Sequence, residues 1–252
     1  MQLDSTAAIV TGAASGLGNA TAQALAKRGV QVFGLDLPAA VEEAPELEGV
    51  SYVPTDVTDE AQVRTAVEQA AAADVPLRTV VNCAGIGPSM RILGKKGVHD
   101  LGVYAKVVQV NLVGTFNVLA VAAEQIAATE PDQDGQRGVI VNTASIAAYD
   151  GQVGQAAYSS SKGGIVGLTL PAARDLAQYG IRVCAIAPGI VDTPMLATVS
   201  EEFRAGLAAG VPFPQRLARP DEYAQLALSI LDHDYLNGEV IRMDGALRMA
   251  PR

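Results

Sequence analysis

The sequence predicts an α/β fold: one domain, 1–252, built on a doubly wound parallel seven-stranded sheet with helices on both faces. Short apolar or β-branched runs alternate along the chain with longer alanine-rich stretches of helical periodicity. The strand-like runs are almost continuously apolar, as strands covered on both faces are, rather than alternating with polar residues. Nowhere in the 252 residues does a low-complexity linker or a repeat divide the chain.

The strand candidates, in order, are "AAIVTG" from Ala7, "VQVFGLD" from Val30, "VSYVPTDV" from Val50, "LRTVVNCAG" from Leu77, "GVIVNTAS" from Gly138, "IRVCAIAPG" from Ile181 and "GEVIRMDG" from Gly238. Helices are expected near 17–28, 60–73, 101–129, 158–179 and 221–232, where apolar residues recur at helical spacing. Pro171 inside 158–179 should remove one backbone hydrogen bond and bend that helix. The irregular stretch is about 193–220, where Pro194, Pro212, Pro214 and Pro220 bracket a short helix at 200–209. An excursion of that length after a strand usually covers a site.

Composition narrows the partners. A formal charge of −9 disfavours nucleic acid and anionic membrane, since phosphate surfaces are bound by clustered Lys and Arg. A small molecule or a second copy of the chain is the expected partner. Cys83 and Cys184 lie beside strand-like runs without CxxC or Cys/His spacing, so no metal site is expected and the thiols read as buried and reduced. No uninterrupted apolar run reaches about 18 residues, and the N-terminus enters a strand almost at once. A soluble cytoplasmic protein is expected.

The first strand opens into "TGAASGLG", with Gly12, Gly16 and Gly18 around Ser15 and Leu17. Glycines at a strand-to-helix turn let the backbone approach a pyrophosphate, which the free N–H groups and positive dipole of the helix start favour. The spacing is GxxxGxG, so taken alone a structural tight turn competes with this reading. Asp36 ends the second strand 18 residues after Gly18, where a carboxylate accepts hydrogen bonds from an adenosine ribose. A 2′-phosphate there would meet that negative charge with no cation at Ser15 or Leu37 to offset it, which favours NAD over NADP. The competing reading of Asp36 is a solvated turn residue. Asp56 and Val57 stand where an adenine edge can bind, although Asp56 reads equally as a cap for the helix at 60–73. Asn82, Cys83, Ala84 and Gly85 end the fourth strand with small residues that leave space beside a cofactor.

Tyr158 and Lys162 share one face of their helix at i, i+4. A phenol of pKa about 10 is roughly 0.1% ionised at pH 7, and matching it to neutral pH takes about 4 kcal/mol. A lysine charge at about 4 Å supplies on the order of 4 kcal/mol gross, before desolvation subtracts from it. One lysine is marginal; an oxidised nicotinamide ring would supply a second positive charge. An isolated YxxxK reads equally as a polar helix face. Ser145, ending the fifth strand, can hold a substrate oxygen or simply make the turn. Asn111 can hold a water beside the lysine or cap the helix that follows it.

Taken together, TGxxxGxG at 11–18, Asp36, NCAG at 82–85, Asn111, Ser145, YxxxK at 158–162 and PG at 188–189 followed by Thr193 resemble the short-chain dehydrogenase/reductase family, in order along essentially the whole chain. The resemblance implies a Rossmann-type fold, with Tyr158 as acid/base, Lys162 lowering its pKa and holding the nicotinamide ribose, Ser145 polarising the substrate oxygen and Asn111 completing a proton relay. It also implies that Pro188 and Gly189 join the cofactor site and that the backbone around Val191 and the Thr193 side chain receive the nicotinamide carboxamide. A narrower resemblance, in "EPDQDGQRGVIVNTAS", "GQVGQAAYSSSKGGIVGLTLPAARDLA", "VPFPQRL" and "LNGEVIRMDGALRM", is to the short-chain L-3-hydroxyacyl-CoA dehydrogenases, also called type 10 17β-hydroxysteroid dehydrogenases. That family oxidises (S)-3-hydroxyacyl-CoA to 3-oxoacyl-CoA with NAD. By the same resemblance Gln152 and Gln155 join Ser145 and Tyr158 in touching substrate, and the chain forms a homotetramer.

Three further expectations concern the substrate and the assembly. Arg91, Lys95, Lys96, Arg204, Arg216 and Arg219 are candidates for CoA phosphates, or are solvated loop charges. Met195, Leu196, Val199, Phe203 and Leu207 wall an acyl chain, or pack as the core of a lid. Gly163, Gly164 and Gly167 offer a neighbouring subunit close approach. The other readings are a 3-oxoacyl-carrier-protein reductase or a sugar or polyol dehydrogenase, against whose NADPH-dependent form Asp36 speaks, and a non-catalytic dinucleotide sensor or scaffold.

Overall fold

The computed structural model describes residues 3–95, 97–196 and 200–251. Seven parallel strands form the sheet: β1 (Ala7–Thr11), β2 (Gln31–Asp36), β3 (Val50–Pro54), β4 (Leu77–Asn82), β7 (Gly138–Thr143), β8 (Ile181–Pro188) and β9 (Val240–Met243), in the order β3-β2-β1-β4-β7-β8-β9. All seven expected strands are present. Two short strands, β5 (Leu93–Gly94) and β6 (Gly97–Val98), make a separate antiparallel hairpin that no periodicity in so few residues announces.

The inner strands are largely apolar because successive side chains serve two cores. On β1, Ala7 and Ile9 join the cluster that holds Val63, Val118, Ile126 and Ala172, while Ala8 and Val10 join the cluster that holds Leu25, Tyr223, Ile230 and Leu231. The first cluster is roofed by α3 (Glu60–Ala71), α5 (Gly114–Ala127) and α6 (Ala156–Leu176), the second by α1 (Gly16–Ala26) and α8 (Pro220–Asp232). A period-two pattern with both faces buried leaves no polar alternation to read.

Strand order reverses between β1 and β4, and at such a switch point the carboxyl ends part into a crevice. The register keeps those ends level: Thr11 pairs with Leu35 and with Asn82, Asn82 with Asn142, and Thr143 with Ile186. Every expected helix is found within two residues or so of its predicted limits. One short helix, α2 (Pro38–Glu42), lay outside the prediction. The 101–129 segment is α4 (Leu101–Val108), one π turn at Gln109–Val113, and α5, continuous with one another. By length and composition alone this 27-residue helix is apolar enough to cross a membrane, an outcome that looking for uninterrupted apolar runs missed. Val107, Val118, Leu119, Val121, Ala122 and Ile126 are buried in the protein, which is how a core helix meets that test.

α6 runs on through Pro171 to Leu176 and finishes in a 3-10 turn, so the proline does not interrupt it. Its Gly163 and Gly167 face open space, but a Cβ on Gly164 would lie 2.5 Å from Leu112 Cδ2. Gly164 is thus an internal packing glycine and not part of an open flank. In the excursion, a 3-10 turn (Pro194–Leu196) and α7 (Glu201–Ala209) form, yet Met195 and Phe203 are exposed and Leu196 and Leu207 half-buried, so these residues make no lid core. Val199 and Lys96 lie outside the described residues.

Candidate active site

The glycine turn is shaped by what lies against it. A Cβ on Gly18 would stand 2.1 Å from the Gly12 carbonyl oxygen, and one on Gly12, at φ +66°, 2.9 Å from the Ala84 nitrogen. Gly12 therefore holds β1's exit against the 82–85 segment, which the Thr11 hydroxyl also receives, accepting from Cys83 and Ala84 N–H at 3.1 Å each. Thr193 and Pro194 close over Gly16 from the other side, 3.5 and 3.7 Å from where its Cβ would sit. Ser15 precedes α1 without capping it through its side chain, and Leu17 lies in the first turn. The helix start is therefore presented to the crevice with its N–H donors uncapped by Ser15, an arrangement that suits a phosphate.

Asp36 ends β2 with its carboxylate held by two N–H groups, Ala14 at 2.9 Å and Leu37 at 2.9 Å. Among the described residues no lysine or arginine hydrogen-bonds it. Asp56 makes a local turn instead of capping α3: its Oδ1 accepts from Thr58 N at 2.9 Å and Thr58 Oγ1 at 2.7 Å, and these bonds hold its pKa below the ordinary carboxylate range. The α3 cap is Asp59, which accepts from Ala61 and Gln62 N–H. Val57 is buried against Gly114, with its carbonyl accepting from Asn117. At the far wall, β8 ends at Pro188, Gly189 N donates to Met243 O at 2.9 Å, and Val191 is buried in a bridge to Ala218. Gly turn, 82–85 and 188–193 thus line one crevice across the carboxyl ends of the sheet, and the residues there fit a dinucleotide.

Tyr158 and Lys162 lie on the first two turns of α6, with Lys162 Nζ 5.9 Å from the centre of the phenol ring. Lys162 is 4% exposed and donates to the Thr143 carbonyl at 2.7 Å. Burial lowers its pKa from 10.5 to about 8. Burial likewise pushes the Tyr158 phenol above its ordinary value, and the Ser145 hydroxyl beside it pulls the other way. In the protein alone desolvation therefore outweighs the Ser145 hydrogen bond, and the phenol stays protonated at neutral pH. Ser145 has two uses: its Oγ accepts from Ala147 N at 3.1 Å, opening a 3-10 turn at Ile146–Ala148, and it reaches the phenol.

Asn111 is not a helix cap. It lies inside the π turn, not at a helix start, and its amide is tied to protein: Oδ1 accepts from Ile86 N at 2.8 Å, and Nδ2 donates to Ile86 O at 2.9 Å and Ser161 Oγ at 3.0 Å. A π turn widens the helix and swings one residue inward, often at functional sites. The amide pins the 85–86 turn beside the lysine, for the Gly85 backbone lies against both, a Cβ there falling 3.2 Å from Asn111 Oδ1 and 3.6 Å from Lys162 Nζ.

Gln152 and Gln155 line a cleft of about 450 Å3 with Arg91, Ile92, Leu93, Ala156 and Ser159, a lining that includes neither Ser145 nor Tyr158. Gln155 Oε1 accepts from Gln152 N at 3.0 Å, and Gln152 Nε2 donates to Ala250 O at 2.8 Å, so both amides also brace the loop. Met195 overhangs the site, its sulfur 3.4 Å and the Tyr158 ring 3.6 Å from where a Gly87 Cβ would sit. Three of the candidate phosphate ligands prove to be ion-paired. Arg204 bonds Asp192, Arg216 both oxygens of Glu222, and Arg219 Asp221. A larger cleft, about 550 Å3 between Asp134, Gly180, Arg182 and Asn237, lies at the opposite, amino end of the strands and holds none of these groups. Sequence reading passed over Thr11, Thr143 and Ser161, whose signal, a hydroxyl at a strand end or helix turn, is too common to single out.

This geometry has known counterparts. Residues 6–203 match the short chain dehydrogenase family. The chain is 53% identical to the 3-hydroxyacyl-CoA dehydrogenase type-2 of Drosophila melanogaster over 248 residues, 96% of this chain and 97% of that relative. Among solved structures it is similar to a 3-hydroxyacyl-CoA dehydrogenase type-2 from Mycobacterium avium, at 44% identity and TM-score 0.91 over 98% of each chain. It is also similar to a 3-oxoacyl-[acyl-carrier protein] reductase from Brucella melitensis solved with bound NAD, at 30% identity and TM-score 0.84 over 99% of this chain and 93% of that one. Sheet order, glycine turn and the Tyr158–Lys162–Ser145 cluster agree with the match over nearly the full length: the chain belongs to the short-chain dehydrogenase family.

Proposed function

We propose that this chain oxidises (S)-3-hydroxyacyl-CoA to 3-oxoacyl-CoA with NAD. The observation that carries the chemistry is the buried Lys162 held against the Thr143 carbonyl beside a phenol that the Ser145 hydroxyl reaches. A nicotinamide dinucleotide held by the 12–18 turn, the 82–85 segment and 188–193 would supply the hydride acceptor. Ser145 orients the substrate oxygen, and Tyr158 removes its proton as the carbonyl forms. Lys162, whose pKa of about 8 keeps it mostly protonated at pH 7, offsets part of the phenolate charge. Asn111 and Ser161 keep the 85–86 turn in register with that lysine.

NAD is favoured over NADP by Asp36, whose carboxylate faces the ribose end with no cation bonded to it among the described residues. The acyl-CoA reading is supported by the 53% identical relative and by two exposed cations with no ion pair among the described residues, Arg91, which lines the 450 Å3 cleft, and Lys95, two residues after the cleft-lining Leu93. The reading includes a cytoplasmic homotetramer; the open flank of α6 at Gly163 and Gly167 supports the assembly, which sedimentation tests.

Absorbance at 340 nm with acetoacetyl-CoA and NADH or NADPH tests the reaction. Turnover with NADH well above NADPH, lost by about two orders of magnitude or more in Tyr158→Phe, is expected. Turnover of a carrier-protein substrate with NADPH, or cofactor binding without turnover, would replace the proposal by the reductase or the sensor reading.

A further inference from the structure

Thr143 does more than seat the lysine with its carbonyl. Its hydroxyl lies 2.6 Å from the Asn82 carbonyl, 2.7 Å from the Tyr223 hydroxyl and 3.7 Å from Cys83 Sγ. A carbonyl only accepts, so the single Thr143 proton belongs to Asn82. Tyr223 must then donate to Thr143, and its oxygen is left to accept from the Cys83 thiol at 3.7 Å. The chain of donors runs one way: Cys83 to Tyr223 to Thr143 to Asn82. Tyr223 is 0% exposed, and burial holds both its phenol and the Cys83 thiol in their protonated forms, as such a chain requires. In a dry interior, linked hydrogen bonds polarise one another and hold their members rigidly.

The network joins parts that touch the site from different sides. Asn82 and Cys83 begin the 82–85 floor of the crevice, Thr143 ends β7 and seats Lys162, and Tyr223 comes from α8, on the face of the sheet away from α6. We propose that Tyr223 is a positioning residue for the dehydrogenation: through Thr143 it fixes the carboxyl ends of β4 and β7 relative to each other, and so the seat of Lys162 relative to the 82–85 floor. A tyrosine present only to fill volume would be served as well by phenylalanine, which keeps the ring and removes the hydroxyl that donates to Thr143. The inference rests on the dehydrogenase reading above for its kinetic consequence and on the protein alone for its structural one.

The experiment compares Tyr223→Phe, Thr143→Val, Thr143→Ser and the double variant Tyr223→Phe/Thr143→Val. Expected for Tyr223→Phe is a fall of about tenfold in kcat with KM for acetoacetyl-CoA within about twofold, since a displaced lysine affects the transition state more than substrate binding. In the protein without cofactor, 13C-labelled Lys162 should titrate below its wild-type position, because a less well-placed Thr143 carbonyl favours the ammonium form less. The groups facing that ammonium are Tyr158 on α6 and the Cys83 thiol just after β4, and both are retained in every variant. Thr143→Ser should restore both readouts, and the double variant should be no worse than Thr143→Val, because Tyr223 acts through Thr143. Wild-type kcat and an unmoved lysine titration in folded Tyr223→Phe overturn the proposal, as does full additivity in the double variant. If the wild type turns over no 3-hydroxyacyl-CoA, the proposed function fails, while the lysine titration still decides the role of Tyr223.

Discussion

Replacing Lys162 with methionine should stabilise the protein at neutral pH while abolishing its chemistry. In the fold the ammonium is 4% exposed, and its pKa falls from 10.5 to about 8 because burial penalises the charge. A shift of that size is worth on the order of 3 kcal/mol against folding whenever the group must be charged in the native state. The sign follows from proton counts: between pH 8 and 10.5 the unfolded chain binds more protons at this site than the folded one, so stability rises with pH. Below about pH 8 the full penalty applies, and above about pH 10.5 it is gone. Methionine removes the penalty and keeps most of the stem's packing, but it leaves the Thr143 carbonyl without the 2.7 Å bond, at a cost of about 1–3 kcal/mol. The two effects partly cancel, leaving a net gain of about 1 kcal/mol at pH 7 that declines and reverses as pH rises. Urea unfolding of wild type and Lys162→Met without cofactor, from pH 7 to 10.5, reads this difference directly. A stability difference that stays constant across that range would refute the reasoning, as would a variant that retains wild-type turnover.

Three more outcomes can be stated. Gly18→Ala drives a Cβ to 2.1 Å from the Gly12 carbonyl, so the glycine turn must open; a loss of about 2–3 kcal/mol in stability and weakened NADH binding by fluorescence are expected, and an unchanged variant would contradict the packing. Glu222 is held at about 2 by the Arg216 guanidinium, so its contribution is present above its ordinary 4.5 and lost as pH falls through about 2. Glu222→Gln should therefore flatten the dependence of Tm on pH between 4.5 and 2, and a parallel pair of curves would discount the ion pair. Arg91→Ala/Lys95→Ala should raise KM for acetoacetyl-CoA about fivefold at low salt and less at high salt, leaving a phosphate-free acetoacetyl thioester unaffected; equal KM values in wild type and variant would remove these cations from CoA binding.

Much of the cofactor end was legible because it rests on backbone constraints that leave residue types no choice. Gly12 and Gly18 are glycines for contacts of 2.9 and 2.1 Å, and a strand buried on both faces must be apolar along its length. Side-chain roles were less legible. Asp56 and Asp59 both precede α3, and only the placed backbone shows that Asp59 is the cap. Asn111 reads as a helix start until the π turn is seen, because one inserted residue leaves the surrounding apolar period intact. Arg204, Arg216 and Arg219 look like available cations until each is found beside its own carboxylate.

From its order of residues alone the chain specifies the alternation of strands and helices, the glycine turn, Asp36, and the i, i+4 pair of Tyr158 and Lys162, all of which depend on neighbours close in sequence or on a repeated local period. The tertiary structure decides where Lys162 is seated and in which direction the buried protons point. Tyr223 meets Thr143 across 80 positions and Cys83 across 140, and no local pattern carries a contact made through the middle of a sheet. Distance along the chain is what hides it: the hydroxyls involved have no periodicity, and their partners are chosen by strand order and register.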